Sequence, residues 1–284
     1  MMRIGAHLTI TKGLDKAAEM AVEIGGNTFQ FFTRNPRGGK ARQIPAEEIS
    51  RWLKRREELD VYPAVGHFPY TVNLASLEDK QKDFAHLVLH DDLLRMSEAG
   101  VELAVSHPGR YDQDKQENLK RLTELIASVM EEISPSTFFC LETMALQGRE
   151  IGSIEDLSSV LDALANHPQV GIALDSAHLF AAGWDLRTKE GCRRLVEALD
   201  QKIGLSKVKF MHLNDTKVPL GSHKDRHEKI GYGILGKKGI EAIIEDEFLG
   251  SLPLILETPV ADYKEYAAEI QAVKAIAAFW GLKQ

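Results

Sequence analysis

Eight apolar runs punctuate the chain, and from the third to the eighth each stops on His, Asp or Glu. RIGAH stops at His7, and NTFQFFT runs into Arg34 and Asn35. PAVGH then stops at His67, LAVSH at His107, FFCLE at Glu142, VGIALD at Asp175, VKFMH at His212 and LPLILE at Glu257. Unbroken apolar runs of this kind read as parallel strands buried on both faces. Between them the apolar positions fall at helical spacing, over residues 12–24, 46–59, 77–99, 117–133, 153–166, 189–203, 238–248 and 263–279. In the first of these segments Leu14, Ala17, Ala18, Ala21 and Val22 share a face; in the second, Ile49, Leu53 and Leu59 are the apolar set. Ser153, followed by Glu155 and Asp156, supplies an N-cap with an acidic first turn. Strand then helix, eight times with right-handed crossovers, predicts a closed (β/α)8 TIM barrel, one domain over residues 1–284. A doubly wound sheet would need a Gly-rich phosphate turn after the first strand, and AHLTITKG does not supply one.

The residues that end the strands carry the chemistry. Strand C-termini form the mouth of a barrel, where its reactive groups collect. A lone histidine there is ordinarily structural. Burying Glu142, Asp175 and Glu257 beside His67, His107 and His212 would cost several kcal/mol unless cations compensate, so the six together predict a polynuclear metal site. A mixed nitrogen and oxygen set suits zinc or manganese and not calcium. Two clusters enlarge it. His178 follows Asp175 by three residues, and in GSHKDRHEK the side chains of Asp225 and His227 are two apart. His178, Asp225 and His227 make a further three-ligand set with an open position, while His223 breaks the spacing and is left out. His86, His90 and His167 are read as helix histidines with no part in the pattern.

Charge and cysteines narrow the setting. The net charge of -7 over 284 residues gives no global positive field for a polyanion. The stretch from Asn27 to Ala46 nevertheless lacks acidic residues and gathers Arg34, Arg37, Lys40 and Arg42 in the loop after the second strand, on the catalytic face. That loop can follow a nucleic-acid backbone. Cys140 and Cys192 are read as reduced, packed thiols. No apolar stretch is long enough to span a bilayer, and MMRIGAH lacks a secretory signal pattern, so a soluble cytoplasmic protein without membrane contact is expected.

Along nearly its whole length, the chain resembles the endonuclease IV family of apurinic/apyrimidinic endonucleases. The segments are GAHLTITKGL, FFTRNPRG, HFPYTVNLAS, SHPG, LETMALQG, GIALDSAHLFAAGWDLRT, MHLNDTKVPLGSHKDRHEKIGYGILG and LILETP. The resemblance implies three zinc ions, manganese replacing zinc in part. His67, His107 and Glu142 would hold one; Glu142, Asp175, His212 and Glu257 a second; His178, Asp225 and His227 the third. It also implies Glu142 as the bridging catalytic carboxylate, with Arg37 and Tyr70 entering the duplex at the lesion. The implied reaction cuts the phosphodiester 5′ to an abasic site by metal-activated water, leaving a 3′-OH and a 5′-deoxyribose phosphate, and trims 3′-blocking groups. The implied partner is duplex DNA carrying abasic sites or 3′-blocking lesions, and the protein is taken as a monomer. Two stretches depart from the family pattern. Its usual HPGSH reads HPGRY here, placing Arg110 and Tyr111, and ENTAGQG reads ETMALQG, with Thr143, Met144 and Leu146. No ligand position is lost. The competing readings are a sugar isomerase or epimerase on a related barrel and a non-catalytic DNA-binding module. The third ligand set and the basic loop oppose the first, and buried ligands on six strands oppose the second.

Overall fold

The structure is a computed structural model that describes residues 2–37 and 39–279; the ends of the expected 1–284 domain and one residue of FFTRNPRG lie outside them. In chain order the elements are β1 (Ile4–His7), α1 (Leu14–Glu23), β2 (Thr28–Phe32), α2 (Ala46–Leu59), β3 (Ala64–His67), α3 (Asp79–Glu98), β4 (Leu103–Ser106) and α4 (Lys115–Ile133). There follow β5 (Phe138–Glu142), α5 (Ile154–Ala163), β6 (Val170–Asp175), α6 (Ser176–Ala181), α7 (Lys189–Lys202) and β7 (Val208–His212). The chain ends with β8 (Asp215–Thr216), β9 (His227–Glu228), α8 (Gly236–Glu245), β10 (Leu254–Leu256) and α9 (Tyr266–Phe279). Eight parallel strands close in the order β1-β10-β7-β6-β5-β4-β3-β2, and β8 pairs antiparallel with β9 as a separate hairpin. This is the expected (β/α)8 barrel.

Two cores follow from the double burial of the strands. Val65, Leu103, Val105, Cys140, Ala173, Phe210 and Ile255 fill the barrel interior, while alternate strand residues such as Phe29, Phe31, Phe139 and Leu174 meet the helical layer. Close strand contact explains a glycine in β1: a Cβ on Gly5 would lie 1.7 Å from the Thr28 carbonyl oxygen. The predicted cap of α5 is present, with the Asp156 amide donating to Ser153 Oγ at 3.1 Å and Asp156 returning the bond. No described helix is long and apolar enough to cross a membrane.

Helix faces departed from expectation where polar residues found tertiary partners. In α1 Val22 is exposed, whereas Leu14, Ala17, Ala18 and Ala21 are buried. In α2 the buried face is Glu48, Trp52 and Arg56, with Leu53 exposed and Ile49 only partly covered. The Arg56 guanidinium lies over the rings of Trp52 and Tyr62 and pairs with Glu102. A charged residue thus supplies part of the core-facing stripe. His86 and His90, as read, are helix histidines with a partner outside the pattern: both turn toward Glu132 of α4, at 3.1 and 3.9 Å.

Candidate metal centre

All the strand-end ligand candidates converge on the barrel mouth. His67, Glu142, Asp175 and His212 are the last residues of β3, β5, β6 and β7, and His107 and Glu257 follow β4 and β10 directly. Glu142, Asp175 and His212 are completely buried, so the sheet has drawn their charge or polarity fully out of water. His178 comes from α6, whose first turn is capped by Asp175: Oδ1 accepts the His178 amide at 2.7 Å. Asp225 and His227 come from the β8–β9 hairpin.

Ligand atoms lie within 4.8 Å of one another in three sets: His67, His107 and Glu142; Glu142, Asp175, His212 and Glu257; and Asp175, His178 and His227. Asp225 bridges the last two imidazoles, with Oδ2 3.4 Å from His178 Nε2 and Oδ1 3.3 Å from His227 Nε2. The third set is therefore wider than expected, because Asp175 faces it as well as the second.

The imidazoles are oriented from behind. Nδ1 of His67 lies 2.6 Å from the Phe68 carbonyl, Nδ1 of His178 3.0 Å from that of Thr143, and Nδ1 of His227 3.4 Å from that of Glu257. Each ring thereby presents Nε2 to the centre, the arrangement by which a backbone acceptor sets a ligating tautomer. His212 is reversed: Nε2 donates to Gln30 Oε1 at 2.7 Å, and Nδ1 stands 2.9 Å from Glu142 Oε1. Glu142 Oε2, His178 Nε2 and His227 Nε2 are buried without a hydrogen-bond partner among the described residues. Buried, unpartnered polar atoms converging from three elements fit a cation, since left alone they cost free energy.

The electrostatics agree. Burial pulls His107 down to about 4 and lowers His7. Burial also opposes charge on His212 and His178, but the carboxylates win: Glu257 and Glu142 hold His212 at about 9, and Asp175 with Asp225 and Glu142 keeps His178 well above its ordinary value. Against the same burial, His212 and His107 keep Glu142 well below the usual carboxylate range, and His178 holds Asp225 at about 2. The pocket is thus built to keep its carboxylates ionised.

Gln30, His7, Asn214 and Thr143 were given no supporting role from sequence. Gln30 Nε2 donates to Glu257 Oε1 at 2.6 Å and lies 2.9 Å from His7 Nδ1. Asn214 donates to Asp175 Oδ2 and accepts the Glu257 amide. Thr143 Oγ1 accepts the Asp175 amide, so this departure from the family pattern still supports the site. An amide within the apolar run TFQFF was the one available signal for Gln30; nothing distinguished His7 from any other strand-end histidine.

The basic loop is corrected. Arg34 is buried and pairs with Asp91 at 2.7 Å and Asp92 at 2.6 Å, and Arg42 pairs with Glu48 at 2.7 Å. Two of the four cations are therefore spent on anchoring the loop. Arg37 and Lys40 are exposed and have no ion pair among the described residues. Tyr70 is 52 % exposed at the rim, edge-on to Phe32 with ring centroids 6.2 Å apart. It lines, with His67, His107, His178, Asp225, His227 and Glu257, a cavity of about 510 Å³ over the ligand sets.

The fold is a closed barrel with histidines and carboxylates gathered at its mouth, and residues 18–279 match the xylose isomerase-like TIM barrel family. Within it, the chain is 54 % identical over 276 residues to a Moorella thermoacetica protein named "Probable endonuclease 4", covering 97 % of this chain and 99 % of the relative. The crystal structure of endonuclease IV from Thermus thermophilus superposes with a TM-score of 0.86 at 29 % identity, covering 98 % of this chain and 99 % of that one. A D-tagatose 3-epimerase-like protein shares the fold alone, with a TM-score of 0.69 at 18 % identity and coverage of 99 % and 98 %. The chain belongs to the endonuclease IV family.

Proposed function

We propose that this protein is a zinc-dependent endonuclease that cuts duplex DNA on the 5′ side of an abasic site, leaving a 3′-OH and a 5′-deoxyribose phosphate, and that it also removes 3′-blocking groups. It acts as a monomer in the cytoplasm. The observation that carries this reading is the convergence of three ligand sets that share Glu142 and Asp175 around buried, unpartnered atoms. His67, His107 and Glu142 would hold one ion; Glu142, Asp175, His212 and Glu257 a second; His178, Asp225 and His227, flanked by Asp175, a third. Zinc suits this donor set, with manganese in part of the sites. Bound there, the ions supply Lewis acidity and neutralise charge on the phosphodiester.

The chain's own groups do the rest. Glu142 stays ionised under the imidazoles of His212 and His107 and offers one oxygen to each of two sets. Gln30, Asn214 and the backbone carbonyls fix the ligand rings and carboxylates before substrate arrives, which removes reorganisation from the reaction. At the rim Tyr70 stacks in the gap left by the missing base, and Arg37 enters the duplex beside it.

The test is nicking of an abasic-site oligonucleotide by purified, zinc-loaded protein, with the 3′ end assayed for extension by a polymerase. Glu142→Gln should lose most of the activity, because a neutral amide cannot balance two cations. Intact abasic DNA under zinc or manganese overturns the reading. Turnover of a free ketose by the same preparation would favour the isomerase alternative.

A further inference from the structure

The turn that follows β4 carries an arginine whose charge the ligand sets do not use. We propose that Arg110 forms a phosphate subsite beside the metal centre and grips the backbone of the bound duplex. The inference rests on the DNA reading of the site. Its ligand is one phosphodiester group of the same strand that occupies the mouth.

Arg110 is fixed at its backbone and free at its head. Asn73 clamps the backbone in both directions: Oδ1 accepts the Arg110 amide at 2.9 Å, and Nδ2 donates to its carbonyl at 3.2 Å. The preceding Gly109 has φ 113°, and a Cβ there would sit 2.0 Å from Asn73 Oδ1, so the turn is closed tightly around this clamp. From across the turn Arg110 forms an antiparallel bridge with Glu150. The guanidinium, by contrast, is 57 % exposed; its carboxylate neighbour Glu150 is 4.0 Å away and its contact with the Gln147 carbonyl is 3.5 Å. The other oxygen of Glu150 is already taken by the Gln147 amide at 2.7 Å. A loosely held guanidinium on a rigid base keeps its planar fork available for two parallel bonds to phosphate oxygens.

Position supplies the second argument. Arg110 borders a cavity of about 260 Å³ whose wall includes Tyr70, Asn73, His107, Met144 and Glu150. Tyr70 and His107 also line the cavity over the ligand sets, so the two spaces share a rim. A strand leaving the metal centre past Tyr70 passes Arg110 next. Where HPGSH would place a serine, HPGRY places a cation. A cation contributes to affinity through counterion release, and a serine does not.

The experiment measures abasic-duplex binding by fluorescence anisotropy across a salt series, and KM and kcat for nicking, for zinc-loaded wild type, Arg110→Ser and Arg110→Lys. Arg193→Ser, on the outer helix α7, controls for net charge. Arg110→Ser should bind about 5- to 10-fold more weakly at low salt, with the log–log salt slope shallower by about 0.9, and the loss should fall on KM. Lysine should restore the slope, because the charge returns without the fork. Wild-type affinity and slope in Arg110→Ser, or an equal change in Arg193→Ser, overturns the subsite while leaving the nuclease reading intact. Wild type that neither binds nor cuts abasic duplex overturns that reading, and the subsite with it.

Discussion

Asp215 is the residue whose removal should separate scaffold from chemistry. It is completely buried, and its two oxygens accept four backbone N–H groups: Thr216 at 2.7 Å, Gly231 at 3.1 Å, Gly233 at 2.9 Å and Gly236 at 3.1 Å. The fit is tight, since a Cβ on Gly233 would lie 2.3 Å from Asp215 Oδ1. The same residue starts β8, whose pairing with β9 sets Asp215 opposite Glu228 and Thr216 opposite His227. One carboxylate therefore ties down both the loop at 231–236 and the hairpin that presents Asp225 and His227. Asp215→Ala leaves three non-local amides without their acceptor, at about 1 kcal/mol or more each, so a loss of about 3–4 kcal/mol is expected. Asp215→Asn keeps one acceptor oxygen and should lose about 2 kcal/mol. Urea denaturation of metal-free protein measures this without stabilisation by bound ions. Elemental analysis after mild dialysis should then find the ion of the His178, Asp225 and His227 set depleted before the others. An alanine variant within about 0.5 kcal/mol of wild type, carrying its full metal content, would refute the reasoning.

Four other outcomes are expected. Asp92→Ala leaves the buried guanidiniums of Arg34 and Arg95 with Asp91 as their remaining carboxylate, and should cost about 3–5 kcal/mol in denaturant unfolding while weakening DNA binding through the loosened Arg37 loop. Arg37→Ala/Tyr70→Ala should reduce abasic-duplex affinity about tenfold or more with metal content unchanged, as read by anisotropy and elemental analysis. His212, held at about 9 by Glu257 and Glu142 against burial, carries a proton at pH 7.5 in the metal-free protein. Zinc uptake should therefore release a proton and weaken as pH falls, seen by calorimetry in buffers of different ionisation enthalpy. The same raised value means that His212 stabilises the metal-free fold fully below the unfolded value of about 6.5. That contribution is lost as pH rises toward 9, so urea midpoints should fall over this window.

Much of the barrel and its mouth could be read from the chain because both rest on local pattern. A strand buried on both faces must be apolar throughout, so a His, Asp or Glu marks its end, and in a closed parallel barrel all such ends meet on one face. His67, Glu142, Asp175 and His212 were legible for that reason, and His178 because three residues of helix return its side chain to Asp175. The helical faces were legible only where apolar spacing was unopposed, as along Leu14, Ala17, Ala18 and Ala21. Tertiary structure decided the rest. Arg34 looked like a free cation until α3 brought Asp91 and Asp92 to it across some 57 residues, and Arg56 joined a core face because Trp52, Tyr62 and Glu102 surround its charge. Gln30 became a support of His212 from 182 residues away, and Asp175 came to face two ligand sets. Periodicity records which side of an element avoids water; it carries no information about which distant partner compensates a buried charge, and that pairing exists only once the barrel has closed.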